Sequence, residues 1–398
     1  MSEILADPVI IAGVARTPMA AFQGQFATLS ASQLGAVAIA SALERSGVQP
    51  DQVDEVVMGC VLGAGQGQAP ARQATLAAKL PLNVGATTVN KMCGSGMRAV
   101  MFAHDMLLAG SARIVIAGGM ESMTNAPYLL PKVRGGMRMG HGQMLDHMFT
   151  DGLEDAYEKG RLMGSFADET ALALHLSRKA QDGFALESFK RARHAIENGA
   201  FKWEIAPVTV PQRHGEITID DDELPFKADL DKISTLKPAF TAEGTVTAAN
   251  ASSIADGAAA LVMMRASTAE QLGVIPLARI VGHTTVAQAP AQFVTAPSGA
   301  LKQLLNKNNW RVSEVDLYEI NEAFAVVVMA AIQAHYLPHG KVNVNGGACA
   351  LGHPIGASGA RILVTLLNAL RQREMKRGIA SLCIGGGEAT AMGVELMV

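Results

Sequence analysis

Cys93 is the first residue of this chain with the makings of a catalyst. It lies in Val89-Asn90-Lys91-Met92-Cys93-Gly94-Ser95-Gly96-Met97-Arg98, where a short apolar strand gives way to a long apolar helix. The glycines after it let the backbone approach a ligand closely. The free N–H groups and positive dipole end of that helix face the sulfur, which should lower a thiol pKa from about 8.5 and favour the nucleophilic thiolate. A small buried cysteine that only packs would read the same way locally.

Three more residues share this kind of setting. His353 lies in Gly352-His353-Pro354, and the proline keeps it out of helical geometry, on a loop crowded by Gly346, Gly347, Gly352 and Gly356. Cys383 ends an apolar strand and precedes Gly385-Gly386-Gly387, a turn whose N–H groups could converge on one oxygen as an oxyanion hole requires. Asn321 ends the stretch Asp316 to Ile320 and precedes Glu322-Ala323-Phe324-Ala325. It is either the N-cap of a helix or an amide that holds a water or carbonyl. Ser252, in Asn250-Ala251-Ser252, is a weaker candidate of the same kind. A thiol with a base is the apparatus of nucleophilic catalysis, and a second thiol could serve as a general base.

The elements that must position these residues alternate. Pro8 to Val14 reads as a buried strand, Ser30 as an N-cap, Ala31 to Ser46 as a helix stopped by Gly47, and Glu55 to Leu62 as a strand. A helix over about Ser95 to Leu108, closed by Gly110, is apolar on nearly every face and should be buried all round. Arg113 to Ala117, Asp316 to Ile320, Lys341 to Val344 and Ile379 to Ile384 read as further strands, with a helix from about Ala357. Unbroken apolar strands alternating with helices predict an α/β fold with parallel sheet covered on both faces. Residues 123 to 244 break the texture, with more charge, helices within Ser165 to Gly199, a polar hairpin over His214 to Pro225 and a Met-rich stretch over 134 to 148. That Met-rich stretch reads as flexible loop packing, with an acyl pocket or a subunit contact as alternatives. Ser95-Gly96-Met97-Arg98 with Gly118-Gly119-Met120-Glu121 is matched by Ser358-Gly359-Ala360-Arg361 with Gly385-Gly386-Gly387-Glu388, which predicts duplicated halves. Ligands of such sheets sit at the carboxyl ends of the strands.

Composition narrows the classes. The 398 residues are 49% hydrophobic, and a net charge of −3 without a basic block leaves no nucleic-acid footprint. Four cysteines without a paired CxxC spacing give neither a zinc finger nor a disulfide scaffold. No run approaches the length of a membrane span. The first residues do not read as a signal or transit peptide, the last do not read as a peroxisomal ending, and a cytoplasmic location is expected.

The four sites together resemble the motifs of the thiolase family: VNKMCGSGMRAV around Cys93, NEAFA from Asn321, NGGACALGHPIGASGAR around His353 and CIGGGEA from Cys383. The resemblance runs nearly end to end, including GMESMTNAPYLL and GTVTAANASS, and is nearest to the acetyl-CoA C-acetyltransferase branch. It implies a thiolase-like α/β fold of duplicated halves in five layers (αβαβα) with an inserted loop domain. The expected divisions are 1–122 plus 245–272 for the first half, 123–244 for a loop domain covering coenzyme A, and 273–398 for the second half.

The resemblance also implies roles. Cys93 would carry the acyl group, His353 would activate it, and Cys383 would remove the α-proton of the second acetyl-CoA. The N–H groups of Cys93 and Gly385 would form one oxyanion hole; His353 and a water held by Asn321 would form the other. Substrate would touch Ser252, Ala251, Phe240, Met163, Leu153, Phe324, Ala323, Phe293 and Lys227, with Arg213 and Lys232 as further phosphate contacts. Acetyl-CoA, acetoacetyl-CoA and CoA would be the partners, no metal or redox cofactor would be needed, and the chain would form a homo-oligomer, a tetramer built as a dimer of dimers. Leu162-Met163-Gly164, Phe293-Val294-Thr295-Ala296-Pro297 and Leu224-Pro225-Phe226-Lys227 depart from common family patterns at positions that bear on specificity. A broader-chain 3-ketoacyl-CoA thiolase and a non-catalytic acyl-CoA or redox-sensing protein therefore stand as alternatives.

Overall fold

A computed structural model describes residues 7–397. Residues 1–6, on which part of the reading of the chain start rests, and Val398 lie outside the described residues. The first half contributes β1 (Val9–Arg16), β2 (Glu55–Gly59), β3 (Gly85–Val89), β4 (Ile114–Ser122) and β5 (Ala255–Arg265). The second contributes β6 (Ala278–Ala287), β7 (Leu317–Ile320), β8 (Arg377–Ile384) and β9 (Glu388–Leu396).

Outward from the join, the first half runs β1-β5-β4-β2-β3 and the second runs β6-β9-β8-β7. Val342 bridges Tyr318 beside β7, where the first half has β3. The two halves thus repeat one strand order. They meet edge to edge only at Ile10–Arg279 and Ile11–Ala278. The expected strand Lys341 to Val344 is reduced to that one bridge, because residues 339–341 form a 3-10 turn instead.

The sheet is mixed, which corrects the parallel sheet expected from the sequence. Among the paired strands of the described residues, β2–β3, β2–β4 and β7–β8 are parallel. The β1–β5, β5–β4, β6–β9 and β8–β9 pairs are antiparallel. An unbroken apolar run reports burial on both faces and carries no information about strand direction. Here β1 and β8 are buried because helices cover both faces, whichever way their neighbours run.

Ser30 caps α1 (Ala31–Ser46) with a capping box to Gln33, and Gly47 ends it at φ +73°. Two helices form the central layer: α2 (Ser95–Ala109) and α3 (Ser358–Gln372). Both open on the repeated Ser-Gly-x-Arg, and the glycines are needed where the helices cross. A Cβ on Gly96 would lie 2.7 Å from the Ala360 backbone N, and one on Gly359 would lie 2.4 Å from the Met97 backbone N. Every residue of α3 from Ser358 to Leu370 is buried. α2 is less enclosed than its sequence predicts: Phe102 is 37% exposed with the Arg98 guanidinium over its ring, and Asp105 is also exposed. Its last turns have a face that neither sheet covers.

The second part of the proposed repeat does not superpose. Gly118 and Gly119 lie within β4, whereas Gly385 to Gly387 form the turn between β8 and β9. Register gives the better correspondence. Gly59 pairs with Gly119 in one half and Ile320 with Ser381 in the other, so Cys60 corresponds to Asn321 and Glu121 to Cys383.

Between β4 and β5 the chain leaves the sheet. It forms the helices Met163–Ala173 and Arg178–Glu197 and a hairpin, Val208–Gln212 with Gly215–Ile219, that begins before the His214 start read from sequence. A buried ion cluster fastens this excursion to the sheet. Arg16 grips both Asp222 oxygens at 2.7 and 2.8 Å and bonds Glu204, which also receives Thr365 and Asn368 of α3. Most of the Met-rich stretch is exposed, with Met139 at 98%. Met148 alone of its methionines is buried, against Val61, Leu62, Met123 and Ile355.

Candidate active site

Cys93 sits between β3 and α2, with Met92 at φ +47° turning the chain. The Ser95 hydroxyl accepts from the Lys91 N–H and donates to the Met92 carbonyl, which fixes this elbow. The N–H groups of Gly385 and of Cys93 itself are directed at Sγ and favour the thiolate. Desolvation outweighs them and pushes the thiol up to about 11. The lowered pKa expected from the helix start is therefore not what the free site has; the resting sulfur carries its proton.

Cys383 ends β8, fully buried and close enough to Cys93 for the two sulfurs to feel one another's charge. Burial first, and Cys93 second, raise its thiol well above the usual range. The turn after it bends through Gly386 and Gly387 at φ +94° and +90°, where a side chain would be strained. A Cβ on Gly387 would also meet the Gln288 carbonyl at 2.4 Å.

His353 follows Gly352, whose φ is +93°. Its Nδ1 lies 2.5 Å from the Ser358 hydroxyl, which is 2.9 Å from the Pro354 carbonyl. The hydroxyl has one proton, and the carbonyl can only accept it. Ser358 therefore accepts from Nδ1–H, and Nε2 is left with a lone pair. Nε2 is buried and has no partner among the described residues. Burial, with Arg361 as a smaller contribution, holds the imidazole down to about 3, so it stands neutral with the Nε2 lone pair free.

Asn321 is fully buried, and neither its amide oxygen nor its nitrogen has a partner among the described residues. It does not cap a helix. The stretch 322–324 stays extended because Phe324 bridges Ala251 and Ala323 accepts from the Ser252 N–H, so the next helix starts at Ala325. Glu322 braces this stretch from beneath by accepting from Asn343, Ser188 and the Cys349 N–H. An unpaired buried amide costs on the order of 1–3 kcal/mol. A water or substrate carbonyl would recover that cost.

A largely apolar cavity of about 540 Å³ borders these groups: Cys383 packs with its wall residues Met163, Phe240 and Phe324, and the His353 backbone N–H donates to the carbonyl of its Ser253 at 2.9 Å. Of the residues read as substrate contacts, Leu153, Met163, Phe240, Ala251, Ser252 and Phe324 line it. Leu153 and Ile254, which also lines it, share an apolar cluster with Cys93. The Met163 sulfur lies 3.6 Å from where a Cβ on Gly385 would stand, so that side chain reaches the catalytic turn. Ala323 and Phe293 are not on the wall: Ala323 supplies the carbonyl that fixes Ser252, and Phe293 packs edge-on behind Phe324 and Phe166. Lys227 is also off the wall, 56% exposed and paired with Glu223. Lys232 pairs with Asp229, and Arg213 is exposed in the hairpin turn. Phe22 and Phe149 line the wall without having been read from the sequence, and Leu162 and Leu224, read there only within stretches that bear on specificity, line it as well. Two of them, Phe22 and Phe149, are more than a third exposed, a property that spacing does not reveal.

Comparison with known proteins decides the family. The family model for the thiolase N-terminal domain matches residues 9–267, and that for the thiolase C-terminal domain matches 274–396. The chain belongs to the thiolase family. Among similar proteins, the acetyl-CoA acetyltransferase of Cupriavidus necator is 50% identical over 97% of this chain and 99% of its own length. Acetyl-CoA acetyltransferase 2 of Arabidopsis thaliana is 50% identical over 98% and 97%, respectively. The crystal structure of a Bacillus anthracis acetyl-CoA acetyltransferase superposes with a TM-score of 0.95 at 39% identity, covering 98% of this thiolase and 99% of that chain. An Ascaris suum thiolase solved in complex with coenzyme A gives 0.93 at 39% identity, covering 98% and 100%. This thiolase thus has the five-layered αβαβα fold of its relatives, with α2 and α3 as the middle layer.

Proposed function

We propose that this thiolase is an acetyl-CoA C-acetyltransferase, which condenses two acetyl-CoA into acetoacetyl-CoA and CoA and also runs in reverse. One observation carries the reading: two neighbouring thiols, an imidazole nitrogen with a free lone pair and a buried amide unpaired among the described residues stand on segments that border one apolar cavity. That set matches a reaction needing a nucleophile, a carbon acid's base and two sites for oxyanions.

In the proposed sequence His353 Nε2 takes the Cys93 proton as the first thioester arrives. The sulfur attacks the carbonyl, whose oxygen turns negative facing the N–H groups of Cys93 and Gly385. CoA leaves as its thiol with the proton of Cys383, which is left as the thiolate, while His353 keeps on Nε2 the proton taken from Cys93. Cys383 then takes the α-proton of the second acetyl-CoA, and the enolate oxygen is held by His353 and a water on Asn321. The carbanion attacks acetyl-Cys93, and acetoacetyl-CoA forms as the Cys93 sulfur is released and takes its proton back from His353. Thioesters suit this route because their α-protons are more acidic than those of oxygen esters. No metal or redox cofactor has a part in it.

The names of the relatives, all for acetyl transfer, favour this reading over a broader-chain 3-ketoacyl-CoA thiolase. The relative solved with coenzyme A supports a CoA thioester lying in the cavity, with Lys227, Lys232 and Arg213 as proposed phosphate contacts. A homotetramer is proposed too; β3 ends the sheet with one edge unpaired among the described residues, which suits a second copy. No helix among the described residues is long and apolar enough to cross a membrane, and a cytoplasmic location is proposed, although a Xenopus laevis relative is named as mitochondrial. Thiolysis rates on acetoacetyl-CoA and on a ten-carbon 3-ketoacyl-CoA test the reading. Acetoacetyl-CoA should be strongly preferred, and a strong preference for the longer substrate would overturn it.

A further inference from the structure

A second constellation lies well away from Cys93, on the open face near the end of α2. His104 and Asp105 stand on α2, and His283 reaches them from β6 of the other half. His104 Nδ1 lies 3.1 Å from Asp105 Oδ1, His283 Nε2 lies 3.1 Å from the same oxygen, and the two ring nitrogens are 3.2 Å apart. The imidazole planes lie at 90° with centroids 4.9 Å apart, and the three donor atoms stand as one group.

Protons cannot satisfy this triangle. If both nitrogens carry hydrogen, both can donate to Asp105, but two N–H groups then face each other. If one nitrogen is bare, it can accept from the other ring's N–H, but its lone pair then faces the carboxylate oxygen; if both are bare, every edge sets lone pair against lone pair. A cation at the centre would take a lone pair from each corner. The spacing suits one in particular: zinc binds nitrogen and carboxylate oxygen at about 2.0–2.2 Å, and tetrahedral geometry then separates neighbouring donors by about 3.3 Å. Two imidazoles and one carboxylate, with a fourth position toward water beside the half-exposed Asp105, form a donor set for a borderline divalent ion.

The geometry points to a binding site for a divalent cation of the zinc class, held by His104, Asp105 and His283 and joining α2 to the sheet of the second half. The site is not part of the acetyl-transfer chemistry. Asp105 lies ten residues along α2 from Ser95, about 15 Å by helical rise. Lys307 donates to the His283 carbonyl at 3.0 Å and so fixes the strand that carries this ligand. Bound metal would clip two halves whose sheets otherwise meet over a short edge.

The test uses the full chain, freed of metal with a chelator and titrated with Zn²⁺ and separately with Co²⁺. One equivalent should bind per chain, raise the melting temperature by a few degrees and give Co²⁺ the visible absorption of a tetrahedral site. The near-ultraviolet charge-transfer band of thiolate ligation should be absent. His283→Ala and Asp105→Asn should each weaken binding at least about tenfold and abolish the thermal shift while leaving thiolysis rates unchanged. Two variants at different corners guard against one that fails to fold. Binding that is absent, equally strong in both variants, or accompanied by a thiolate band would overturn the proposal, the last by placing the metal on cysteine.

Discussion

The two halves of this thiolase build the same frame and fill it oppositely. In the first half, the residue after β2 is Cys60, and two residues beyond the matched strand position stands Glu121. In the second half, those places hold Asn321 and Cys383. Glu121 is saturated: it accepts from the N–H groups of Val61, Leu62 and Gly356 and lies 3.5 Å from the Cys60 sulfur. Among the described residues Asn321 is unpaired at both side-chain amide atoms, and Cys383 is a buried thiol beside another, with its own backbone N–H directed at the sulfur. A polar pair whose partners all lie within the fold is a brace; the same pair left without partners is a reagent. Glu121 even braces the loop carrying His353, through Gly356, so the first half's structural pair supports the second half's chemical one.

Substitutions that interchange brace and reagent test this contrast. Cys93→Ser should have the largest effect, lowering turnover by roughly 10⁴-fold or more, and mass spectrometry should find no acetyl-enzyme after acetyl-CoA is added. Cys383→Ala should still form acetyl-enzyme but slow exchange of the acetyl-CoA α-protons with solvent by about 10²–10⁴-fold; normal exchange would falsify the assignment of the base. Asn321→Ala should lower the condensation rate on the order of 10²-fold with acylation nearly intact, measured by single-turnover kinetics.

Smaller effects fall on the braces. Ser358→Ala removes the acceptor that fixes the His353 tautomer, and turnover should fall by about tenfold while the fold stays stable. In the substrate-free enzyme, alkylation of Cys93 should climb with pH toward about 11, the value to which burial raises it, instead of levelling off near neutrality. Glu121→Gln should change turnover least and stability most. Burial raises the Glu121 carboxyl to about 7. Between its ordinary value and 7 the folded state holds the extra proton, so stability is fully present below the ordinary carboxyl range and falls as pH rises through 7. Urea midpoints across that window should slope for the wild type and lie flat, at a lower level, for the variant.

Much of the fold was legible because local chemistry fixed it. Ser30 with Gln33 and Gly47 define α1 in the sequence as they do in space. Gly110 ends α2 at φ +73° because a left-handed cap favours glycine. Strand direction was not legible, since burial on both faces erases the alternation that would reveal it. The Gly-Gly-x-Glu match misled for a related reason: letters repeated, but one copy lay inside a strand and the other in a turn.

The sequence by itself picked out the proposed reagents and determined their immediate settings. Cys93, Asn321, His353 and Cys383 each sit at an element end or in a glycine-rich turn because short-range sterics and capping demand it. Only the tertiary structure decided their state. Desolvation, summed over everything packed around a group, leaves Cys93 protonated and His353 neutral, against what a helix start alone predicts. Which polar atoms find partners also depends on residues distant in the chain: Gly356 comes to Glu121, and among the described residues no polar group comes to the Asn321 side-chain amide. Charge state and hydrogen-bond satisfaction are properties of the assembled surroundings, and a local stretch of sequence does not contain them.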